Sequence, residues 1–360
     1  MTKSPFLFGV VTLACAVGAA QAQTQPPVTV FGVLDVAYQM NTASGAASQN
    51  LLINDGNTSS RFGFRGAEDL GGGLKASFHF EGAVVITTGA GGATNVNNFG
   101  ANTAAGAGLF GRRSTVSLTG PWGELRAGRD YVPTFNNLTA SMHPFGTNGL
   151  GNAGQMFYPV AAGGTTARTN VRASNSIAYL LPANAGGLNG HFMVAQGLTG
   201  AVGTSADNGN YFGGRLGYAA GPLSLAIASG QTKYNTGDYT QSNFAINYKV
   251  GPAKLMYLYG KNEVGVTNTT ANMIGTQYDV GSGQVRASYT VLKAEKVAND
   301  ANQWTIGYVH DLSKRTALYG NYSVVSNDGV GKTFSVGDGL APIDAGGKST
   351  GAQIGVRHAF

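Results

Sequence analysis

Alternation of apolar and polar residues in short segments constrains the fold of this chain more than any other feature. Residues 74–81 show it clearly, because every second residue is polar and the residues between them are apolar. The polar face consists of Lys75, Ser77, His79 and Glu81. About sixteen such segments occur, at residues 28–35, 61–65, 74–81, 110–119, 123–129, 171–181, 188–197, 210–220, 223–232, 241–250, 254–261, 271–280, 284–294, 301–311, 316–326 and 350–360. An even number of strands, each with one apolar face, predicts an all-β fold: a transmembrane antiparallel β-barrel.

The connections between these segments also alternate, between tight turns and long polar stretches. The tight turns are rich in glycine and lie at residues 71–73, 120–123, 221–222, 251–252 and 281–283. The predicted long loops cover residues 39–60, 87–109, 130–170 and 327–349. Short turns at one rim and long loops at the other are typical of a barrel inserted from the periplasm. A short helix fits inside the third long loop.

The end of the chain fits a closed barrel. An open sheet of this size would expose unpaired backbone groups to hydrocarbon, so the first and last strands must pair. The chain ends in a predicted strand, residues 353–360, whose last residue is the aromatic Phe360.

The N-terminus has the pattern of an export signal. Lys3 supplies a positive start, residues 6–17 are an apolar run, and residues 20–22 read Ala-Gln-Ala, a cleavage pattern of small residues. We therefore expect a signal peptide at residues 1–22 and one mature barrel domain at residues 23–360. The single cysteine, Cys15, is removed with the signal, so no disulfide or cysteine metal site is expected in the mature chain.

Composition separates this chain from soluble proteins of its length. Charged residues make up 11% of the chain, against roughly 25% in soluble domains, and glycine accounts for 56 of 360 residues. No stretch of the mature chain approaches about 18 consecutive apolar residues, which excludes a helical membrane protein. The remaining classes are an outer-membrane barrel and a glycine-rich secreted β protein, and the strand alternation favours the barrel.

Four motifs give the chain a family resemblance. They are residues 60–75, Phe110-Gly111-Arg112, residues 128–131 and the terminal residues 357–360. With these motifs and its strand spacing, the chain resembles the general trimeric porins of Gram-negative outer membranes, most closely those of β-proteobacteria. The first motif is long and specific, and the resemblance covers essentially the whole mature chain.

The resemblance implies a barrel of about sixteen strands, a homotrimer, and a long third loop folded into the lumen to narrow the pore. It also implies that the barrel-assembly machinery reads Phe360. Wall arginines face the inward loop in these porins, and the matching positions are Arg61, Arg112 and Arg172. Many relatives carry a glutamate on that loop in a Pro-Glu-Phe-Gly motif, but this chain reads His143-Pro144-Phe145-Gly146.

The missing glutamate indicates an anion preference. After Asp130, which we take as the first residue of the inward loop, no Asp or Glu occurs before Asp207. Three arginines about 10 Å from an ion would change its energy by about 1.2 kcal/mol at the dielectric of water. We therefore predict a pore for the passive diffusion of small anions and polar solutes, with Arg65, Arg113 and Arg168 as secondary candidates for its charged lining.

Two neighbouring arginines compete for the lumen. Strand neighbours point in opposite directions, so Arg112 and Arg113 are not both expected to line it. Local alternation with Thr115 and Ser117 favours Arg113, whereas the family motif favours Arg112, which we prefer.

Other polar residues have simpler interpretations. Arg65, Arg126 and Arg129 could form structural ion pairs with Glu68, Glu124 or Asp130. The five histidines lack metal-ligand spacing and no nucleophile–base pair stands out, so we expect no metal, no cofactor and no enzyme activity. Basic residues are spread along strands, which argues against nucleic-acid binding.

Two alternative functions remain open at this point. A surface adhesin would use the barrel as a scaffold for its long loops, and a barrel enzyme would carry a catalytic set in them. For the porin hypothesis, the expected partners are two further copies of the chain, outer-membrane lipids and lipopolysaccharide, the assembly machinery, and the solutes.

Overall fold

The computed structural model describes residues 28–92, 98, 108–152, 154–157, 169–183, 185–197, 206–265, 267–295, 299–329, 334–337, 341–342 and 344–360. The predicted signal peptide and Arg168 lie outside the described residues. Among the described residues, no helix is long and apolar enough to cross a membrane.

The described residues form eighteen strands, all paired antiparallel. The strands are β1 (Thr29–Ala43), β2 (Gln49–Asn54), β3 (Arg61–Gly71), β4 (Leu74–Val85), β5 (Ala90–Gly91), β6 (Arg113–Gly120), β7 (Gly123–Tyr131), β8 (Arg172–Leu180), β9 (Leu188–Ala195), β10 (Tyr211–Ala220), β11 (Leu223–Thr232), β12 (Tyr239–Val250), β13 (Ala253–Val264), β14 (Thr267–Val280), β15 (Gly283–Ala294), β16 (Ala301–Asp311), β17 (Thr316–Asn327) and β18 (Lys348–Ala359). The sheet closes because β1 pairs with β18 from Val33↔Ala359 to Ala43↔Ser349.

Sixteen positions around the barrel account for these eighteen strands. Strands β2 and β3 both pair with β1, one after the other, and together form the second wall position. The two-residue β5 pairs with the C-terminal end of β4, and β6 pairs with the rest of β4. Strands β5 and β6 therefore share one wall position. The prediction of a closed antiparallel barrel of about sixteen strands is confirmed.

Burial alternates along the strands and identifies the two faces of the wall. On β16, Trp304 and Ile306 are exposed, whereas Gln303 and Thr305, which alternate with them, are buried. The outward face is therefore apolar, as hydrocarbon requires, and the buried polar face is lumenal.

The second wall position differs from the sequence expectation. Residues 39–60 were predicted as one long loop, but β1 continues to Ala43 and β2 occupies Gln49–Asn54. Only residues 44–48 at the rim and residues 55–60 within the wall are irregular. The polar composition of this stretch suits a lumenal face as well as a loop, which explains the error.

Candidate pore site

A segment between β7 and β8 lies against the lumenal face of the wall. It contains a 3₁₀ helix at Pro133–Leu138 and a short helix, α1, at Gly154–Phe157, as expected for the third long loop. We call residues 132–157 the inward segment, of which residue 153 is not described. Asp130 is not part of it, contrary to our expectation, because β7 continues to Tyr131 through a bulge opposite β8.

Neutral side-chain amides of the wall hold the backbone of the inward segment. Each donates a hydrogen bond to a backbone carbonyl oxygen of the segment. The pairs are Asn243 with Thr134 (2.9 Å), Asn247 with Ser141 (2.9 Å), Gln277 with Pro144 (3.1 Å), Gln303 with Leu150 (2.7 Å), and Gln241 and Asn262 with Phe157 (3.2 and 3.1 Å). These bonds satisfy backbone groups that burial would otherwise leave unpaired.

Apolar packing adds to these hydrogen bonds. Leu138, Leu150 and Phe157 of the inward segment are fully buried in a cluster with lumenal wall residues such as Leu258 and Met273. The main hydrophobic core of this barrel therefore lies inside it, between the segment and the wall.

The three arginines proposed from the family resemblance meet on the opposite side of the segment. Arg61, Arg112 and Arg172 line a cavity of about 480 Å³, which we call the arginine cavity. Phe145 and Gly146 of the inward segment line the same cavity. The structure thus brings the three arginines together with two residues of the predicted inward-loop motif.

Tyr131 links two of these arginines. Its hydroxyl oxygen accepts hydrogen bonds from Nη2 of Arg112 (2.9 Å) and Nη2 of Arg172 (2.8 Å). The Arg172 guanidinium also lies over the Tyr131 ring, 4.4 Å from its centroid, a cation–π contact. Arg172 Nε further donates to the backbone oxygen of Arg112 at 2.8 Å. These contacts hold two like charges side by side.

One carboxylate, Glu81 on β4, forms ion pairs with two of these arginines. Its Oε1 lies 2.6 Å from Arg112 Nε, and its Oε2 lies 3.6 Å from Arg61 Nε. Among the described residues lining the cavity, Glu81 is the one acidic residue against three arginines. The cavity therefore has a net formal charge of +2.

Two residues of the predicted inward-loop motif face the wall and not the arginine cavity. Pro144 packs close to Gly275 of β14. His143 is buried, its Nδ1 accepts a hydrogen bond from the Phe145 backbone N–H at 3.2 Å, and burial lowers its pKa to about 3. His143 therefore packs the segment as a neutral residue and adds no charge to the cavity.

The secondary candidates Arg65 and Arg113 line a different cavity. It has a volume of about 850 Å³ and reaches the short β3–β4 turn, and we call it the periplasmic cavity. Arg112 and Arg113 thus both reach the lumenal side, which corrects our expectation that only one would. Strand alternation does not apply to Arg112, because β6 begins at Arg113.

Acidic partners lie beside two of the arginines of the periplasmic cavity. Arg126 lies 2.8 Å from Glu124 and 2.7 Å from Asp130, and Arg113 lies 3.7 Å from Asp130. The predicted structural pairing of Arg126 is confirmed. Arg129 is also structural, but through Gly111 O and Ser174 Oγ, both at 2.7 Å. The Arg65 guanidinium lies over the Phe31 ring at 5.1 Å, so the predicted partner Glu68 is replaced by an aromatic face.

Sequence reasoning missed several residues of this site. Tyr131 stands in a motif that we quoted, but nothing in the motif showed that its hydroxyl joins two arginines. Glu81 was placed on the lumenal face by alternation, yet its partners come from β3 and from the end of a loop. The wall amides gave no signal, because polar residues on a lumenal face are expected for any water-filled barrel.

Comparison with known proteins agrees with the fold. The family described as Gram-negative porin matches residues 9–330. Outer membrane porin protein 32 of Delftia acidovorans is 37% identical, over 97% of this chain and 99% of its own length. An outer membrane porin protein of Bordetella pertussis is 28% identical, over 98% of this chain and 99% of its own length.

Solved structures give the same picture. A structure described as an anion-selective porin from Comamonas acidovorans matches with a TM-score of 0.78 and 34% identity, covering 93% of this chain and all of the other. The trimer form of OmpT from Vibrio cholerae matches with a TM-score of 0.61 at 15% identity, over 93% of this chain and 100% of that one, and supports the fold alone.

A closed barrel with an arginine-lined cavity at its inward segment defines a channel of the outer membrane. The chain belongs to the Gram-negative porin family. It is thus an outer-membrane diffusion channel and not an enzyme, as the sequence motifs indicated.

Proposed function

We propose that this porin passes small hydrophilic anions in preference to cations, by passive diffusion past the arginine cavity. One observation carries the proposal: among the described lining residues, Arg61, Arg112 and Arg172 converge with one carboxylate, Glu81, opposite a segment that carries no charged residue. The solved relative at 34% identity is described as anion-selective, which supports the same preference here.

The magnitude of the preference follows from the net charge. Three positive charges at about 10 Å change the energy of a monovalent ion by about 1.2 kcal/mol at the dielectric of water, and Glu81 offsets about a third of this. Salt screening over about 8 Å weakens the effect, while the low-dielectric wall strengthens it. The expected preference is a few-fold to tens-fold, which suits a pore because its sites must release the ions they attract.

The oligomer and the route of assembly complete the proposal. We infer a homotrimer, as in the trimeric OmpT structure that shares this fold. Phe360 follows β18, its backbone exchanges two 3.1 Å hydrogen bonds with Gly32 of β1, and its ring covers that glycine. An aromatic residue exposed at the closing seam suits recognition by the assembly machinery, after export directed by residues 1–22. Lipid and lipopolysaccharide would then surround the free outer face.

Planar-bilayer recording of the purified protein tests the proposal. A tenfold potassium chloride gradient should give a zero-current potential of anion sign. Organic anions should carry less current the larger they are. A potential of cation sign would refute the anion preference, and absence of conductance would refute the channel itself.

A further inference from the structure

The second wall position of the barrel is interrupted in the middle. Val36 of β1 pairs with Asn54 of β2, and Val33 pairs with Arg61 of β3. Two residues of β1 therefore face six residues of the interrupted strand, residues 55–60, which we call the wall excursion. The pairing with β1 is regular on both sides of the excursion, so its four extra residues must leave the plane of the wall.

A buried carboxylate on β1 holds the wall excursion. Asp35 is fully buried, and its carboxylate accepts hydrogen bonds from the backbone N–H groups of Asn57 (3.2 Å) and Thr58 (2.8 Å). The Tyr319 hydroxyl of β17 donates a third hydrogen bond, at 2.5 Å. Burying a charge is costly unless hydrogen bonds compensate it, and two of these three donors belong to the excursion.

The excursion in turn contacts the arginine cavity. The backbone oxygen of Ser59 accepts a hydrogen bond from Arg61 Nη1 at 2.8 Å, and residues 57–59 line the cavity. This contact fixes the guanidinium of Arg61. Among the hydrogen bonds of the described residues, Arg112 and Arg172 bond to Tyr131 and Arg61 does not.

The excursion also contacts the inward segment. Asn148 Nδ2 donates to Ser59 Oγ at 2.9 Å, and the backbone of Gly149 packs directly against the Gly56 carbonyl oxygen. Gly149 has a φ of 63°, and a Cβ atom there would overlap that oxygen, so only glycine allows this approach. One short excursion therefore contacts both sides of the arginine cavity.

We propose that Asp35 is a positioning residue for ion selectivity: its carboxylate folds residues 55–60 into the lumen, and the excursion then fixes Arg61 opposite the inward segment. This role rests on the proposed anion preference. Asp35 does not line the cavity and would act only through the excursion.

The substitution Asp35→Asn separates positioning from simple electrostatics, because the two predict opposite signs. Removing a negative charge would by itself raise the anion preference. Loss of the excursion would displace Arg61 and lower it, by about two-fold for one arginine at about 10 Å. We expect the lower preference, together with increased open-channel current noise as the segment loses its contact.

A matched control is Asp69→Asn, which makes the same charge change at the β3–β4 turn, where the carboxylate accepts a hydrogen bond from Gly71 N at 2.9 Å. We expect its anion preference to equal or slightly exceed that of the wild type, the direction that charge removal alone gives, and its current noise to match the wild type. An unchanged or raised anion preference in Asp35→Asn, with quiet current, would overturn the proposal.

Gly149→Ala tests the same contact without changing any charge and leaves Asp35 intact if Asp35→Asn fails to assemble. We expect a lower anion preference and added noise. Gly186→Ala is its control, since Gly186 has a similar φ of 65° but open space around it. If Asp35→Asn fails to assemble, wild-type behaviour in Gly149→Ala would likewise overturn the proposal. If the wild-type channel has no anion preference, the proposed function fails, and the noise of these two variants alone then decides the positioning role.

Discussion

The two sides of the arginine cavity differ in charge and in the bonds that hold them. The wall side contributes Arg61, Arg112 and Arg172 with Glu81, joined by charge-assisted hydrogen bonds. The inward segment contributes uncharged residues and is held mainly by amide-to-carbonyl hydrogen bonds and apolar packing. This difference suggests a division of roles, in which the segment sets the width of the pore and the wall sets its selectivity.

Removing the wall charges should have the largest effect. In the triple variant with Gln at positions 61, 112 and 172, the anion preference should disappear, because about 1.2 kcal/mol of attraction is lost and Glu81 stays. With Glu81 left as the one charge of the described cavity lining, the sign should reverse to a weak cation preference. Zero-current potentials in a salt gradient measure this change, and a triple variant as anion-selective as the wild type would place the charge filter elsewhere.

Adding a charge to the neutral side should have the next largest effect. Ala140 is exposed on the inward segment and lines the arginine cavity. In Ala140→Glu, the new carboxylate should lower anion partition about two-fold, since one charge at about 10 Å contributes about 0.4 kcal/mol. Ala140→Gln controls for size and should keep the wild-type potential. Equal potentials in the two variants would show that the segment lies too far from the ion path.

Acidification should loosen the packing of the inward segment against the wall. The buried His143 has its pKa lowered to about 3, from an ordinary value near 6.5. A released segment would bind a proton between these values, so its packing is fully stable above pH 6.5 and weakens as the pH falls towards 3. We expect current noise to rise between pH 6 and pH 4 in the wild type.

The same pH series on His143→Gln provides the control. Glutamine retains an acceptor for the Phe145 N–H but does not titrate in this range. A variant that becomes as noisy as the wild type on acidification would assign the effect to another group.

The smallest effect on selectivity is expected from the periplasmic cavity. The double variant Arg126→Gln with Glu124→Gln removes the 2.8 Å pair of these residues and the 2.7 Å pair of Arg126 with Asp130, and it leaves the net charge unchanged. The zero-current potential should stay at the wild-type value. The barrel should unfold at a lower temperature, since a hydrogen bond to a charged group contributes about 1.5 to 3 kcal/mol. A large shift in potential would show that the arginine cavity is not the main filter.

Much of the barrel follows from the sequence, because strand alternation and glycine turns are local signals. The strands Leu223–Thr232 and Ala301–Asp311 were predicted to the residue. The second wall position was not, because its interruption depends on Asp35 of β1 and Tyr319 of β17, which are distant in the sequence. Alternation does not reveal hydrogen bonds between such distant residues.

The site was predictable in its residue types more than in its connections. The family resemblance indicated Arg61, Arg112 and Arg172, and the absence of acids from the third loop after Asp130 is visible in the sequence. That Arg112 and Arg113 both reach the lumenal side depends on where β6 begins, a boundary that the pattern placed three residues too early. Asp130 was assigned to the loop for the same reason.

The zero-current potential at a fixed tenfold salt ratio, recorded in dilute and in concentrated potassium chloride, tests the central claim most directly. Charges on the wall act through solution whose screening length falls from about 30 Å at 0.01 M to about 3 Å at 1 M. The wild-type channel should therefore show a strong anion potential in dilute salt that shrinks in concentrated salt, and the triple arginine variant should show neither. A cation-sign potential, or an anion potential that persists in the triple variant, would contradict the account.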